Sequence, residues 1–192
     1  MGKSDADYAI SLYNYTILLE KIGRYEEGLK YIDEAISIMA LPENASLKLI
    51  DYRQVKASLL VNVNRIEEAI LILEDIKKQR ILNNQQTQSN YGTTLFDLAG
   101  NYLKKDMLEK ALVNISEAVE VFKNTLGNEH PYYAMAIRKK ADILLATGEI
   151  KNIASLYRLS SQIIGKKFGK FHIEYFNSEY AYFLFLKNKK LS

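Results

Sequence analysis

Gly23-Arg24-Tyr25-Glu26-Glu27-Gly28-Leu29 decides the fold, because the same pattern returns three times downstream. It reappears as Asn64-Arg65-Ile66-Glu67-Glu68-Ala69-Ile70 and as Asp106-Met107-Leu108-Glu109-Lys110-Ala111-Leu112. A looser copy follows as Gly148-Glu149-Ile150-Lys151-Asn152-Ile153-Ala154. The first residues stand at 23, 64, 106 and 148, so the spacings are 41, 42 and 42. A second landmark keeps this period: Leu126-Gly127-Asn128-Glu129-His130 recurs 42 residues later as Phe168-Gly169-Lys170-Phe171-His172. Two independent landmarks with one period mark a repeat array, each unit a supersecondary element stacked on the next.

Outward from the landmark, each unit reads as two helices. In the third, Leu95, Leu98, Ala99, Tyr102 and Leu103 form one apolar stripe. After the turn at Lys105-Asp106 a second stripe runs through Leu108, Ala111, Leu112, Ile115, Ala118, Val119 and Phe122. Both keep the i, i+3, i+4 spacing of a helix with one buried face. Small residues recur where paired helices must approach: Thr16, Ala57, Ala99 and Ala141 in the first helices, and Gly28, Ala69 and Ala111 in the second. Ile153 breaks that set, so the fourth pair is either splayed or rotated to bring in Ala154. First helices are expected at about 5–21, 46–62, 91–104, 132–146 and 173–187. Second helices are expected at about 25–39, 66–80, 107–125 and 150–167, with 81–90 as a polar, mobile loop.

These residues resemble the tetratricopeptide repeat (TPR). The period exceeds the usual length of about 34. With Leu126-Gly127-Asn128-Glu129-His130-Pro131-Tyr132-Tyr133-Ala134 it resembles the kinesin-light-chain subtype, in which an LGxxHPxxA segment links the repeats. Leu95-Phe96-Asp97-Leu98-Ala99-Gly100-Asn101-Tyr102 is similar to that subtype's LNNLAxLY first helix. HEAT repeats share the length range but not the small-residue pattern. The fold expected is an all-α, right-handed solenoid of about four and a half helix-turn-helix repeats forming one domain over 1–192. Its repeats fall at about 5–45, 46–90, 91–130 and 131–171, with a final helix at 172–188.

The resemblance implies a concave groove lined by the first helices, able to hold an extended peptide or a helix. Groove positions, read opposite the small-residue stripe, are Ile10, Tyr13, Asn14 and Ile17, then Asp51, Gln54, Val55 and Ser58. The third repeat contributes Thr93, Phe96, Asp97 and Gly100, and the fourth Met135, Arg138, Lys139 and Asp142. Asn14 falls where the family places an asparagine that grips a peptide backbone, since an amide both donates and accepts. Val55, Asp97 and Lys139 occupy the matching places downstream, so that grip is expected only in the first repeat. Arg138 and Lys139 are the expected seat for an acidic side chain of a partner. The two-carboxylate clamp of chaperone-binding relatives is not expected, because Ile10 stands at its lysine site.

The last helix is unusually aromatic: Tyr175, Phe176, Tyr180, Tyr182, Phe183 and Phe185 lie within 11 residues. A solenoid cap should be polar outside. Tyr175, Phe176, Tyr180 and Phe183 therefore read as an interface, covered by further chain, a second copy or a partner, with further chain or an assembly partner the expected cover.

Composition excludes more than it selects. The 192 residues hold 48% hydrophobic and 26% charged side chains, a globular balance, with 2 prolines and 9 glycines. No cysteine is present, so disulfides, thiolate metal sites and cysteine nucleophiles are excluded. His130 and His172 occupy equivalent places in adjacent repeats, too far apart to share a metal, and read as linker residues beside Pro131. Glu26-Glu27 and Glu67-Glu68 sit early in second helices, where negative charge suits the helix dipole. Gly165-Lys166-Lys167-Phe168-Gly169 lacks the spacing of a phosphate loop. No cofactor and no metal is expected, and no enzyme. No apolar run approaches the roughly 20 residues of a membrane span. The polar start carries no signal peptide, which makes the three glycosylation sequons coincidental and the expected location intracellular, in the cytoplasm. Charge is uneven: residues 1–100 hold 11 basic and 14 acidic side chains, and 101–192 hold 15 and 9. The expected function is a non-catalytic adaptor or scaffold binding a protein or peptide. The alternatives are a structural subunit docked through its convex face and aromatic end helix, and, less favoured, nucleic-acid binding through Lys166, Lys167, Lys170, Lys187, Lys189 and Lys190.

Overall fold

The computed structural model describes residues 6–41 and 48–189, with side chains to 187. Among the described residues there are nine helices and no strand. They are α1 Ala6–Lys21, α2 Tyr25–Met39, α3 Lys48–Asn62, α4 Ile66–Leu82, α5 Ser89–Lys104, α6 Leu108–Leu126, α7 Pro131–Ala146, α8 Ile153–Phe168 and α9 Ile173–Lys189. The chain divides into two compact units, one within residues 1–83 and the other within 84–192. In the first, α1 packs on α2, α2 on α3 and α3 on α4; in the second, α5 through α9 pack in the same succession. First helices also touch the next first helix, α1 with α3, α5 with α7 and α7 with α9. Each unit is thus a run of an all-α repeat solenoid.

The turn inside each hairpin explains the repeat. Gly23, Asn64, Asp106 and Gly148 all adopt left-handed backbone, with φ of 78°, 63°, 57° and 80°. The amide after each reaches back five residues: Arg24 to the Leu19 carbonyl at 2.9 Å, Arg65 to Leu60 at 2.8 Å, Met107 to Tyr102 at 2.9 Å and Glu149 to Leu144 at 3.0 Å. This bond closes the helix end and turns the chain straight into the next helix. Glycine adopts that backbone freely, and Asn and Asp are the side chains that best tolerate it. The small residues let the paired helices close against each other, and Thr16, Ala57, Ala99 and Ala141 are all at most 1% exposed. Glu26-Glu27 and Glu67-Glu68 lie in first turns, with Glu27 paired to Arg24 and Glu68 to Arg65.

The linker histidines act as helix caps. His130 Nδ1 accepts from the Tyr132 amide at 3.1 Å while Pro131 starts α7, and His172 Nδ1 accepts from Glu174 at 3.2 Å. Two boundaries differ from expectation. The loop expected at 81–90 is shortened to 83–88, because α4 runs to Leu82 and α5 starts at Ser89. The beginning of the second repeat, 46 and 47, lies outside the described residues. Helix α8 starts at Ile153 rather than 150, because Asn152 adopts left-handed backbone with φ 67°. The late start brings Ile153 into the core as the first helical residue, packed with Ala141, Leu144, Tyr157 and Phe185. Ala154 stays half-buried beside that cluster and does not replace it.

Candidate functional site

In the first unit the expected groove residues are mostly engaged with their neighbours. Tyr13 of α1 stacks on Tyr52 of α3, ring centres 4.4 Å apart and nearly parallel. Burial, followed by the Asp51 and Glu20 charges, raises the Tyr13 phenol above its ordinary value. Asp51 accepts from Arg80 of α4 at 2.9 Å, and Arg80 is itself 3% exposed. Ser58 donates to Glu20. Ile17 and Gln54 are half-buried, and Asn14 is exposed. Asp51, an expected groove residue, is tied to the second helix of its own hairpin while its side chain stays 44% exposed.

The second unit holds a built cavity. Thr93, Phe96 and Asp97 of α5, Phe122 of α6, and Tyr132 and Met135 of α7 enclose about 180 Å³. The walls are chiefly apolar, and the Phe122 and Tyr132 rings meet at 5.6 Å. Four of these six residues were expected on the groove face. Phe122 and Tyr132 were not, since Phe122 reads as second-helix core and Tyr132 as linker.

Phe96 also serves the next feature. The Lys139 ammonium lies 3.6 Å above its ring centre, a cation–π contact. Gly100 makes this possible, because a Cβ there would stand 2.6 Å from Lys139 Nζ. Burial drives the Lys139 amine down to about 8, against the pull of Asp97 and Asp142, with Arg138 and Lys104 pushing it further down. Asp142 accepts from the Tyr157 hydroxyl at 2.6 Å. Burial holds its carboxyl above the ordinary range, although Tyr157, Arg138 and Lys139 oppose this. Arg138 donates to Glu174 of α9 at 3.0 Å. Its Nε is buried and makes no hydrogen bond among the described residues. Arg138 and Lys139, expected to face an acidic partner, are half-buried and engaged within the chain. The physical reason is a missing side chain at 100 and an acidic one at 174.

Helix α9 has two faces. Ser178 and Phe185 are buried, with Ser178 3.1 Å from Ser160 and the Phe185 ring 6.2 Å from Tyr157. Tyr175 is half-buried and packs against Gly165. Phe176, Tyr180 and Phe183 are 54%, 63% and 58% exposed. A second, wider cavity of about 540 Å³ lies along 126–131 with Ile163, Lys166 and Lys167, and its Lys166 is paired with Glu129 at 2.7 Å. Among the described residues no group of three or more His, Cys, Asp or Glu could hold a metal, and no helix is long and apolar enough to cross a membrane.

No protein-family model matches the sequence, and no curated protein matches it. Solved structures do match in shape. One holds nearly identical TPR-like repeats from Podosopora anserina, described as a kinesin light chain: 15% identity, TM-score 0.78, over 97% of this chain and 89% of that one. BtubC (BKLC) from P. vanneervenii matches at 15% identity and TM-score 0.76, over 96% and 77%. The Rap conjugation gene regulator of plasmid pLS20, solved with the Phr* peptide, matches at 16% identity and TM-score 0.79, over 95% of this chain and 48% of that one. The fold is that of the TPR-like repeat proteins.

Proposed function

We propose that this chain is a non-catalytic protein-interaction module, which holds a peptide or helical segment of a partner against α5 and α7. The observation that carries the reading is the apolar cavity lined by Phe96, Phe122, Tyr132 and Met135. A cavity of that size accepts one apolar side chain, and rigid helices present it at little ordering cost. Thr93 and Asp97 on its rim supply polar groups that can orient the segment. The likeness to a Rap regulator solved with a peptide supports the reading at the level of fold.

The test is selection from a random-peptide display library, followed by titration of a labelled selected peptide. Burying one apolar anchor contributes roughly 1.5–3 kcal/mol. Met135→Trp, which fills the cavity, is therefore expected to weaken binding by roughly 10- to 100-fold while leaving the melting temperature close to wild type. Failure to select any binder, or binding indifferent to Met135→Trp, would remove the cavity from the reading. The exposed aromatic face of α9 supports a second reading, docking into an assembly.

A further inference from the structure

The repeat supplies its own reference for α9. Position 183 is equivalent, at spacings of 41, 42, 42 and 42, to Thr16, Ala57, Ala99 and Ala141. Those four are at most 1% exposed, because the second helix of each hairpin closes over them. In α9 the same position is Phe183, at 58% exposure. Helix axes about 8–10 Å apart require small side chains at the closest contact. A phenyl ring there holds off any helix that tries to pack as α2, α4, α6 and α8 do. The face is thus not shaped for one more repeat of this kind.

The remaining residues on the face say what fits. Ile173, Phe176, Glu179, Tyr180, Phe183, Leu184, Leu186 and Lys187 are exposed. Only Glu179 and Lys187 are charged among them, and they share one i±4 row with Phe183 at its centre. Each stands about 6 Å along the axis from Phe183, in opposite directions. A two-fold axis through Phe183 therefore lays Glu179 of one copy beside Lys187 of another, twice. The same axis sets Phe183 on its own counterpart. The face is complementary to itself in charge, as an isologous contact requires.

We propose that α9 is a self-association surface, pairing antiparallel with α9 of a second copy of this chain across Phe183. Each half-exposed aromatic leaves on the order of 100 Å² to cover, so two copies bury on the order of 1,000 Å². That is the lower end for a specific interface, so the dimer is weak and concentration-dependent.

Sedimentation velocity on the full chain over a concentration series tests this, with two sets of variants. Phe183→Ala restores the small residue of the earlier repeats, so it removes the contact without burying anything new. Glu179→Lys and Lys187→Glu each place like charges opposite one another, and the double variant restores the pairing. The expected result is a wild-type dimer whose dissociation constant rises at least 10-fold in Phe183→Ala and in each single charge variant. The double charge variant recovers it. A wild type monomeric at every concentration, or a dimer indifferent to Phe183→Ala, overturns the proposal. No recovery in the double charge variant overturns the antiparallel pairing.

Discussion

Replacing Lys139 by Met should stabilise the chain at neutral pH and should stop doing so in alkali. The amine ionises at about 8 in the folded chain and at its ordinary 10.5 in the unfolded one. Below pH 8 both states carry the proton, and the folded state bears the whole cost of a buried charge. Between pH 8 and 10.5 the unfolded chain binds a proton that the folded chain does not, so wild-type stability rises with pH. Each pH unit of that window is worth about 1.4 kcal/mol, which gives up to about 3 kcal/mol across it. Methionine fills nearly the same volume and keeps a favourable contact with the Phe96 ring. It forfeits the cation–π contact, about 0.5–2 kcal/mol, and leaves Asp97 and Asp142 without that cation. The expected net gain at pH 7 is about 1–2 kcal/mol, read as a higher urea midpoint. The difference between Lys139→Met and wild type should then shrink steadily between pH 8 and 10.5. Other groups that titrate there do so in both proteins and cancel in that difference. A variant less stable than wild type at pH 7, with a difference that stays flat to pH 10.5, would refute the reasoning that burial outweighs the two carboxylates.

Further outcomes follow from the same geometry. Tyr157→Phe removes the donor 2.6 Å from the half-buried Asp142 and should cost about 1–3 kcal/mol at pH 7. The deficit should narrow in acid melts, since protonating Asp142, whose carboxyl already lies high, removes the charge that needed the donor. Asp106→Gly relieves left-handed backbone at φ 57° and should stabilise by up to about 1 kcal/mol in urea titrations, whereas Gly148→Ala at φ 80° should destabilise by about 1 kcal/mol or more. Met135→Trp and Phe183→Ala, described above, separate the two surfaces: the first should weaken peptide binding and spare the dimer, and the second the reverse.

The turns and the hairpin contacts were legible in the sequence because both are local. A residue that tolerates positive φ stands at each of 23, 64, 106 and 148, and a small residue stands at 16, 57, 99 and 141. The start of α8 was not legible, because Ile150-Lys151-Asn152 keeps the repeat pattern while Asn152 takes left-handed backbone. Two-thirds of the cavity lining was legible too: Thr93, Phe96, Asp97 and Met135 lie on the face opposite the small residues. Phe122 and Tyr132 were missed because each belongs to an element that periodicity assigns elsewhere. The environments of Arg138 and Lys139 were the least accessible to pattern. Arg138 meets Glu174, 36 residues away, and Lys139 turns inward through space that Gly100 leaves open, 39 residues earlier. A charged residue on a helix face reads as solvated unless one asks what the neighbouring repeat lacks at the same level.

That question is the useful one for a repeat protein, because every position has equivalents that show what the fold alone requires. Where the equivalents agree, as at the four left-handed turns, the residue answers to the hairpin. Where one departs and stays buried, as at Ile153, the local backbone has shifted to admit it. Where a small residue lets a long side chain from the next repeat fold inward, as Gly100 does for Lys139, that helix face loses an exposed cation to a contact with Phe96. Where a large residue replaces a small one and remains exposed, as at Phe183, no internal packing explains it, since the four equivalents show that the hairpin prefers less. The physical cost of holding a phenyl ring in water is borne at this position alone of the five. It is offset only if something outside the ordinary hairpin covers the ring, and the flanking Glu179 and Lys187 make the same face on a second copy fit it.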